Sequence, residues 1–238
     1  MDSVLASPEA VFSHFINSFC LDIQYGNSNL AHLGFPNIVK WVTHVVPHKL
    51  EYLALRLHVD QLDDAPKLPI SILTCKTLVT LKIFGFHLEG FSLPSIGFGF
   101  PSLRTLHLNN IEFTDIQTFM LFLAGCPILE SLQVFDIYFP EEDEDSHTIQ
   151  EVKSFNLPKL TRANITHFWC SYFPMKALSQ SESLCIDAYW FHIQDFVYKV
   201  CFIMNMMHAY VTHTLHIECN IEGVSISNMF CRCPSQLM

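Results

Sequence analysis

LRTLHLNNIEFTDIQTFMLFLAGCPILESLQV (Leu103–Val134) opens and closes on the same pattern: Leu, two residues, Leu, one residue, Leu or Val. The two copies start 26 residues apart, at Leu103 and Leu129. Alternate side chains of a strand face opposite sides, so positions four and six of each copy share one apolar face. Positions three, five and seven face the other way. Between the copies, Ile116, Phe119, Met120 and Leu123 recur at helical spacing. Thr114 and Gln117 read as a capping box at the start of that helix. Gly125 is a natural stop, and Pro127 blocks continuation. Strand, loop, short helix and return thus fit into one unit.

The unit recurs outward in both directions. LEYLAL starts at Leu50, LVTLKI at Leu78 and LTRANI at Leu160, where Ala163 holds the middle apolar position. Successive starts from Leu50 to Leu160 are 28, 25, 26 and 31 residues apart. This is close to the leucine-rich-repeat range of roughly 20–29 residues. Fainter copies flank these: INSFCL from Ile16, SESLCI from Ser181 and THTLHI from Thr212. One such unit cannot bury its apolar face alone, so at least three must stack. The expected fold is an α/β leucine-rich-repeat solenoid, with a parallel concave sheet and short helices on the outer side. The expected division is an N-terminal cap or degenerate repeat over 1–46, the repeats over 47–170, and degenerate repeats with a tail over 171–238.

Further helices are predicted outside the quoted stretch. Asn37 caps one over Ile38 to Val45, with Ile38, Trp41, Val42 and Val45 on one face and Pro47 ending it. Another runs from Ile193 to Met207, and a short first helix starts at Ser7 with Pro8 in its first turn. Position nine, often Asn in such repeats, is His58, Phe86, Ile111, Ile137 and Phe168. Apolar packing rather than an Asn ladder is therefore expected to close the turn, extended by Leu88, Phe113 and Phe139 two residues on.

Composition bounds the function. The net charge is −10, and the 13 Lys and Arg residues are scattered singly. Nucleic-acid binding needs clustered bases that displace counterions, so no nucleic-acid partner is expected. The start, MDSVLASPEA, lacks the basic region and apolar run of a secretory signal. The nine Cys are then expected to be reduced, in cytoplasm or nucleus. No run approaches the ~18 apolar residues of a membrane span, and Phe196 to Met207 is broken by Lys199 and Asn205. No membrane partner is expected. Met204, Met206, Met207 and Phe230 give apolar surface near the C-terminus, which suggests self-association or a partner.

Catalytic chemistry finds little support. There is no G-x-S-x-G, no glycine-rich phosphate loop and no H-E-x-x-H. Cys75 and Cys126 each stand three residues before a repeat start, so they read as packed thiols in equivalent places, not as nucleophiles. Cys231 and Cys233 with His213, His216 and Cys219 match zinc spacing poorly. No metal and no cofactor are expected, and no enzyme. The acidic run Glu141 to Asp145 reads as a solvated loop insertion. What remains is the outward face of the strands. Tyr52, Arg56, Lys82, Phe84, His107, Asn109, Gln133 and Phe135 are expected to form one patch on it, a mixture of aromatics, bases and amides suited to protein recognition.

TCKTLVTLKI (Thr74–Ile83), FPSLRTLHLNNIEF (Phe100–Phe113) and GCPILESLQV (Gly125–Val134) resemble the repeats of plant F-box proteins with leucine-rich repeats, which often end in an FBD region. PHKLEYLALRL (Pro47–Leu57) looks like the first clear repeat of that family, and FNLPKLTRANI (Phe155–Ile165) is similar to a later one. In that family the F-box binds the adaptor of cullin-based ubiquitin ligases while the repeats receive a target protein. The resemblance implies the receptor half of such a subunit. Met1 to Ile16 shows no F-box-like sequence, and CRCPSQLM stops short of an FBD region. The chain is therefore expected to bind a target protein but not the ligase adaptor. The alternative is a truncated or decoy fragment with structural or regulatory binding only.

Overall fold

The computed structural model describes residues 16–24, 31–58, 65–88, 99–139, 156–168, 175–178, 181–187, 214–221 and 224–226. Nine strands follow one another across a single sheet in chain order. They are β1 (Ser18–Gln24), β2 (Tyr52–His58), β3 (Thr80–Leu88), β4 (Thr105–Phe113), β5 (Ser131–Tyr138), β6 (Arg162–Phe168), β7 (Ser183–Asp187), β8 (Thr214–Ile221) and β9 (Val224–Ile226). β1 to β8 pair in parallel, and β9 turns back antiparallel to β8. The three fainter copies are thus strands of the same sheet: β1, β7 and β8.

Short helical segments pack on one side of the sheet. They are α1 (Ala31–Val45), α2 (Ile116–Ala124) and tight 3₁₀ turns at Val46–His48, Ile70–Thr74 and Met175–Leu178. The core lies between them and the sheet. Leu53 and Leu55, Leu81 and Ile83, Leu106 and Leu108, Leu132 and Val134, and Ala163 and Ile165 are all buried. These are positions four and six of five successive units, as period two requires. Ile38, Val42 and Val45 of α1, and Phe119, Met120 and Leu123 of α2, close the core from outside. Rings of Phe100, Phe113, Phe119, Phe122 and Phe139 form one cluster there, with Phe113 5.1 Å from Phe119 and 6.2 Å from Phe139. That cluster accounts for part of the high Phe content.

Backbone hydrogen bonds fix the starts of β2 to β7. The position-two carbonyl of one unit accepts two N–H groups from the next. Glu51 O accepts from Val79 N at 2.8 Å and Thr80 N at 2.9 Å; Arg104 O accepts from Glu130 N and Ser131 N, both at 2.9 Å. Asn17, Val79, Glu130 and Thr161 repeat the arrangement. Before the starts at Leu78, Leu103, Leu129 and Leu160 a second repeating turn buries one residue: Cys75, Phe100, Cys126 and Leu157. Equal repeat phase does mean equal place for the two thiols.

Two local expectations change. α1 begins at Ala31, runs through Pro36, and leaves Asn37 exposed inside it rather than capping it. The proline removes one hydrogen bond and crowds the carbonyl four residues back, a cost the segment bears as it continues to Val45. The cap of α2 is Asp115, whose Oδ1 accepts from Thr118 N at 2.6 Å. Thr114 Oγ1 instead donates across the stack to Leu88 O. Gly125 does end α2, as its C-cap, in the right-handed region at φ −68°. The predicted helices at Ser7 and over 193–207 lie outside the described residues, as do the acidic run, Cys231, Cys233, Met204, Met206, Met207 and Phe230.

A third change is the most consequential. Gly85, Asn110, Asp136 and His167, position eight of four successive units, all have left-handed backbones, with φ of 77°, 53°, 50° and 49°. Residue pairing along the sheet skips this position. The kink breaks the alternation: position seven faces out, and position nine faces in. Phe86, Ile111 and Ile137 are accordingly fully buried. β2 has no such kink. Its Leu57 at position eight is buried, and His58 at position nine faces outward instead of closing the turn. The Phe168 side chain lies outside the described residues.

Gly85 sits where a regular strand meets a kinked one. A Cβ there would lie 2.1 Å from the Leu57 carbonyl oxygen, on a backbone already at positive φ. Gly85→Ala is expected to lower the stability of the fold by ~2 kcal/mol or more, against ~1 kcal/mol for Asn110→Ala, in urea denaturation. Equal small losses would show that β2 can shift to make room. The phase of the strands is checked separately. Leu132→Ala should cost ~2–5 kcal/mol, because Leu132 is 0% exposed, and Phe135→Ala well under that, because Phe135 is 39% exposed. Thermal melts in which the Phe135 variant unfolds as readily as the Leu132 variant would contradict the outward placement.

Candidate protein-binding face

The sheet surface away from the helices carries positions three, five and seven. Parallel in-register pairing turns each position into a row that crosses the strands. Position three runs Tyr52, Thr80, Thr105, Ser131, Arg162; position five runs Ala54, Lys82, His107, Gln133, Asn164; position seven runs Arg56, Phe84, Asn109, Phe135, Thr166. All eight residues singled out from sequence fall on these rows. Lys82, His107 and Gln133 are consecutive in one row, and Arg56, Phe84, Asn109 and Phe135 in the next. Neighbouring strands lie ~4.8 Å apart, so Phe84 and Phe135 are ~10 Å apart with Asn109 between them.

The two aromatics are not equivalent. Phe135 is exposed, while Phe84 is half-covered. Each packs against a histidine of an adjacent strand: Phe84 against His58 at 4.7 Å between ring centroids, and Phe135 against His167 at 4.8 Å. Those histidines are in turn held by acids. His58 Nε2 lies 3.3 Å from Asp22 Oδ1, and His167 Nδ1 lies 2.9 Å from Asp136 Oδ1. Arg56 also meets Asp22, at 3.4 Å. The Lys82 ammonium sits 5.8 Å from the centroid of the Tyr52 ring. Burial, and then the Lys82 charge beside it, hold the His107 imidazole below its ordinary range.

Asp22, His58, Asp136 and His167 were not part of the sequence reading of this face. Asp136 and His167 enter through the kink at position eight. Asn, Asp, Gly and His are the residues that tolerate positive φ, and their recurrence at that position was the available signal. Asp22 and His58 enter because β1 pairs with β2 through Gln24 and His58.

Other candidate chemistry stays inside the fold. Cys126 is buried, its thiol pushed up by burial to about 12. Cys75 is buried too, and its thiol donates to the Leu50 carbonyl oxygen at 3.5 Å. Among the described residues, no three His, Cys, Asp or Glu side chains converge as metal ligands would. Among them also, no helix is long and apolar enough to cross a membrane.

The depressed His107 imidazole links stability to pH. The unfolded chain takes up the proton near pH 6.5, the folded chain only at lower pH. Stability from this group is therefore full above about pH 6.5 and is lost as pH falls from there toward the folded value. His107→Gln should flatten part of the fall in melting temperature between about pH 7 and 5. A slope unchanged by the substitution would count against the burial of this ring.

Comparison with known proteins bears on the same strands. The repeat family described as "FBD-associated F-box protein At5g56370, LRR repeats" matches residues 38–173, which span β2 to β6. Among relatives, the chain is 32% identical over 139 residues to the F-box/FBD/LRR-repeat protein At1g78750 of Arabidopsis thaliana, covering 52% of this chain and 28% of that protein. It is 37% identical over 146 residues to F-box/FBD/LRR-repeat protein At4g00160 of the same plant, covering 61% and 30%. It is 30% identical over 199 residues to FBD-associated F-box protein At3g52670, also of Arabidopsis thaliana, covering 76% and 45%. In these three alignments the match spans less than half of the relative's length. No solved structure matches the chain. With its family repeats forming the sheet and its outward rows set in register, the chain belongs to the leucine-rich-repeat family of FBD-associated F-box proteins.

Proposed function

We propose that the chain is the target-receiving part of an F-box-type ubiquitin-ligase subunit, and that it binds its target protein on the outward face of β2 to β6. The observation that carries this reading is the row Arg56, Phe84, Asn109 and Phe135, which the register brings together from four strands. An exposed Phe contributes little to the core, but it anchors an interface once a partner excludes water. Arg and aromatic residues are the usual anchors of such interfaces. The chemistry is binding, not catalysis, and needs no metal or cofactor. The site of action is the cytoplasm or nucleus, with neither nucleic acid nor membrane as partner.

A photo-crosslinking amino acid placed at Phe135 tests the face directly. Expressed in plant cells, the chain so labelled should capture a discrete protein partner. The same group at Val39, exposed on the helical side, should not. Phe135→Ala should weaken binding of the captured protein by ~2 kcal/mol. Capture from Val39 but not from Phe135 would overturn the assignment. The same reading gives the repeats to the target and not to the ligase adaptor, so the 238-residue chain alone should not co-purify with purified adaptor. Stable co-purification would overturn that part.

A further inference from the structure

The charge on the candidate face does not follow the charge of the chain. The protein has 23 Asp and Glu against 13 Lys and Arg. Yet positions three, five and seven of β2 to β6 hold Arg56, Lys82 and Arg162, with His107, and no carboxylate at all. The cations are not equally available. Arg56 is engaged by Asp22 of β1. Arg162 lies three strands from Lys82, in a different row. Lys82 is half-buried at the centre, beside His107 and near the Tyr52 ring, and among the described residues no carboxylate lies within ion-pair distance of its ammonium. A partly desolvated ammonium with an aromatic neighbour and no acid gains most from a partner that brings one.

Building on the proposed target-binding face, we propose that its centre, where Lys82 and His107 lie side by side, takes an Asp or Glu side chain of an extended target segment whose neighbouring apolar side chains rest on Phe84 and Phe135. The spacing suits such a segment. Lys82 and Phe84 point the same way two residues apart along β3, ~6.6 Å, which is also the distance between like-facing side chains of an extended peptide. The carboxylate is favoured over a phosphate by the donors present. A phosphate dianion is best held by an Arg fork with further charge. Here the nearest guanidinium already faces Asp22, leaving one ammonium and a neutral imidazole N–H, which match a single negative charge. The acidic composition of the chain disfavours a nucleic-acid occupant on the same face.

A random-peptide display library selected on the full chain is the probe. Recovered peptides should be enriched in Asp or Glu, with an aromatic or aliphatic residue about two positions away. One selected peptide is then measured by fluorescence anisotropy. Lys82→Gln should weaken it about tenfold or more, Lys82→Arg only a few-fold, and replacing its acid with the amide should match the Lys82→Gln loss. Circular dichroism checks that the variants fold. Peptides without acidic bias whose binding is nonetheless lost in Phe135→Ala would leave the face as the binding site and overturn the acid pocket alone. Peptides indifferent to both Lys82 and Phe135, or no peptides at all, would overturn the face and the pocket together. A phosphoserine in place of the acid that binds more tightly would replace the carboxylate by a phosphorylated segment as the occupant.

Discussion

Register is the constraint on which the rest of the structure depends. Position-two carbonyls from Asn17 to Thr161 each accept two N–H groups of the following unit, and this sets where β2 to β7 begin. A slip of one residue would turn positions four and six outward and leave Leu81, Leu106 and Leu132 in water. With three successive apolar pairs opposed to a slip, the backbone ladder and the buried side chains enforce one another. The same register makes rows on the open face. Residues 79 positions apart in the chain, Arg56 and Phe135, belong to one row because the strands between them cannot shift.

Stacking also obliges neighbouring units to share their irregularities. A left-handed residue at position eight bends the strand, and the next strand can stay paired only if it bends at the same place. Gly85, Asn110, Asp136 and His167 do so in succession. The series begins at β3, against an unkinked β2. At that junction the Leu57 carbonyl oxygen fills the space where a side chain would go, which is why the first kinked residue is glycine. At Asn110 and Asp136 both neighbours are kinked, and residues with Cβ fit. Asp136 and His167 then pair side chain to side chain, adding a polar seam at the edge of the candidate face.

The legible part of this structure was the part governed by periodicity. Apolar residues at positions one, four and six recur because burial has no substitute, and five units could be placed from them. The rows of the open face followed by alternation alone. What escaped the sequence reading was decided by neighbours rather than by local preference. Asn37 is a good cap in isolation, but α1 already extends past it through Pro36. Thr114 begins a valid capping box, but its hydroxyl is drawn to Leu88 of the preceding unit, and Asp115 takes the cap. His58 occupies position nine like Phe86, yet it faces the opposite side because its own strand lacks the kink. The kink itself was written in the residue types at position eight, but period two gives no reason to look there.

Fold and recognition divide the sequence of each strand between them. Positions four, six and, after the kink, nine are committed to the core, where Leu106, Leu108 and Ile111 leave almost no surface exposed. Positions three, five and seven carry few such demands, so Thr105, His107 and Asn109 on the same strand can be polar without leaving a buried group unpaired. The open face is therefore the region where residue identity reports something other than stability. Among the described residues, Asp22 from β1 and Asp136 from the kink stand at its borders. Each is already matched to a base or a histidine of its own chain. Among the described residues, the border acids are paired and no carboxylate lies within ion-pair distance of the half-buried Lys82 in the middle, so this part of the face is basic on a chain that is negative overall.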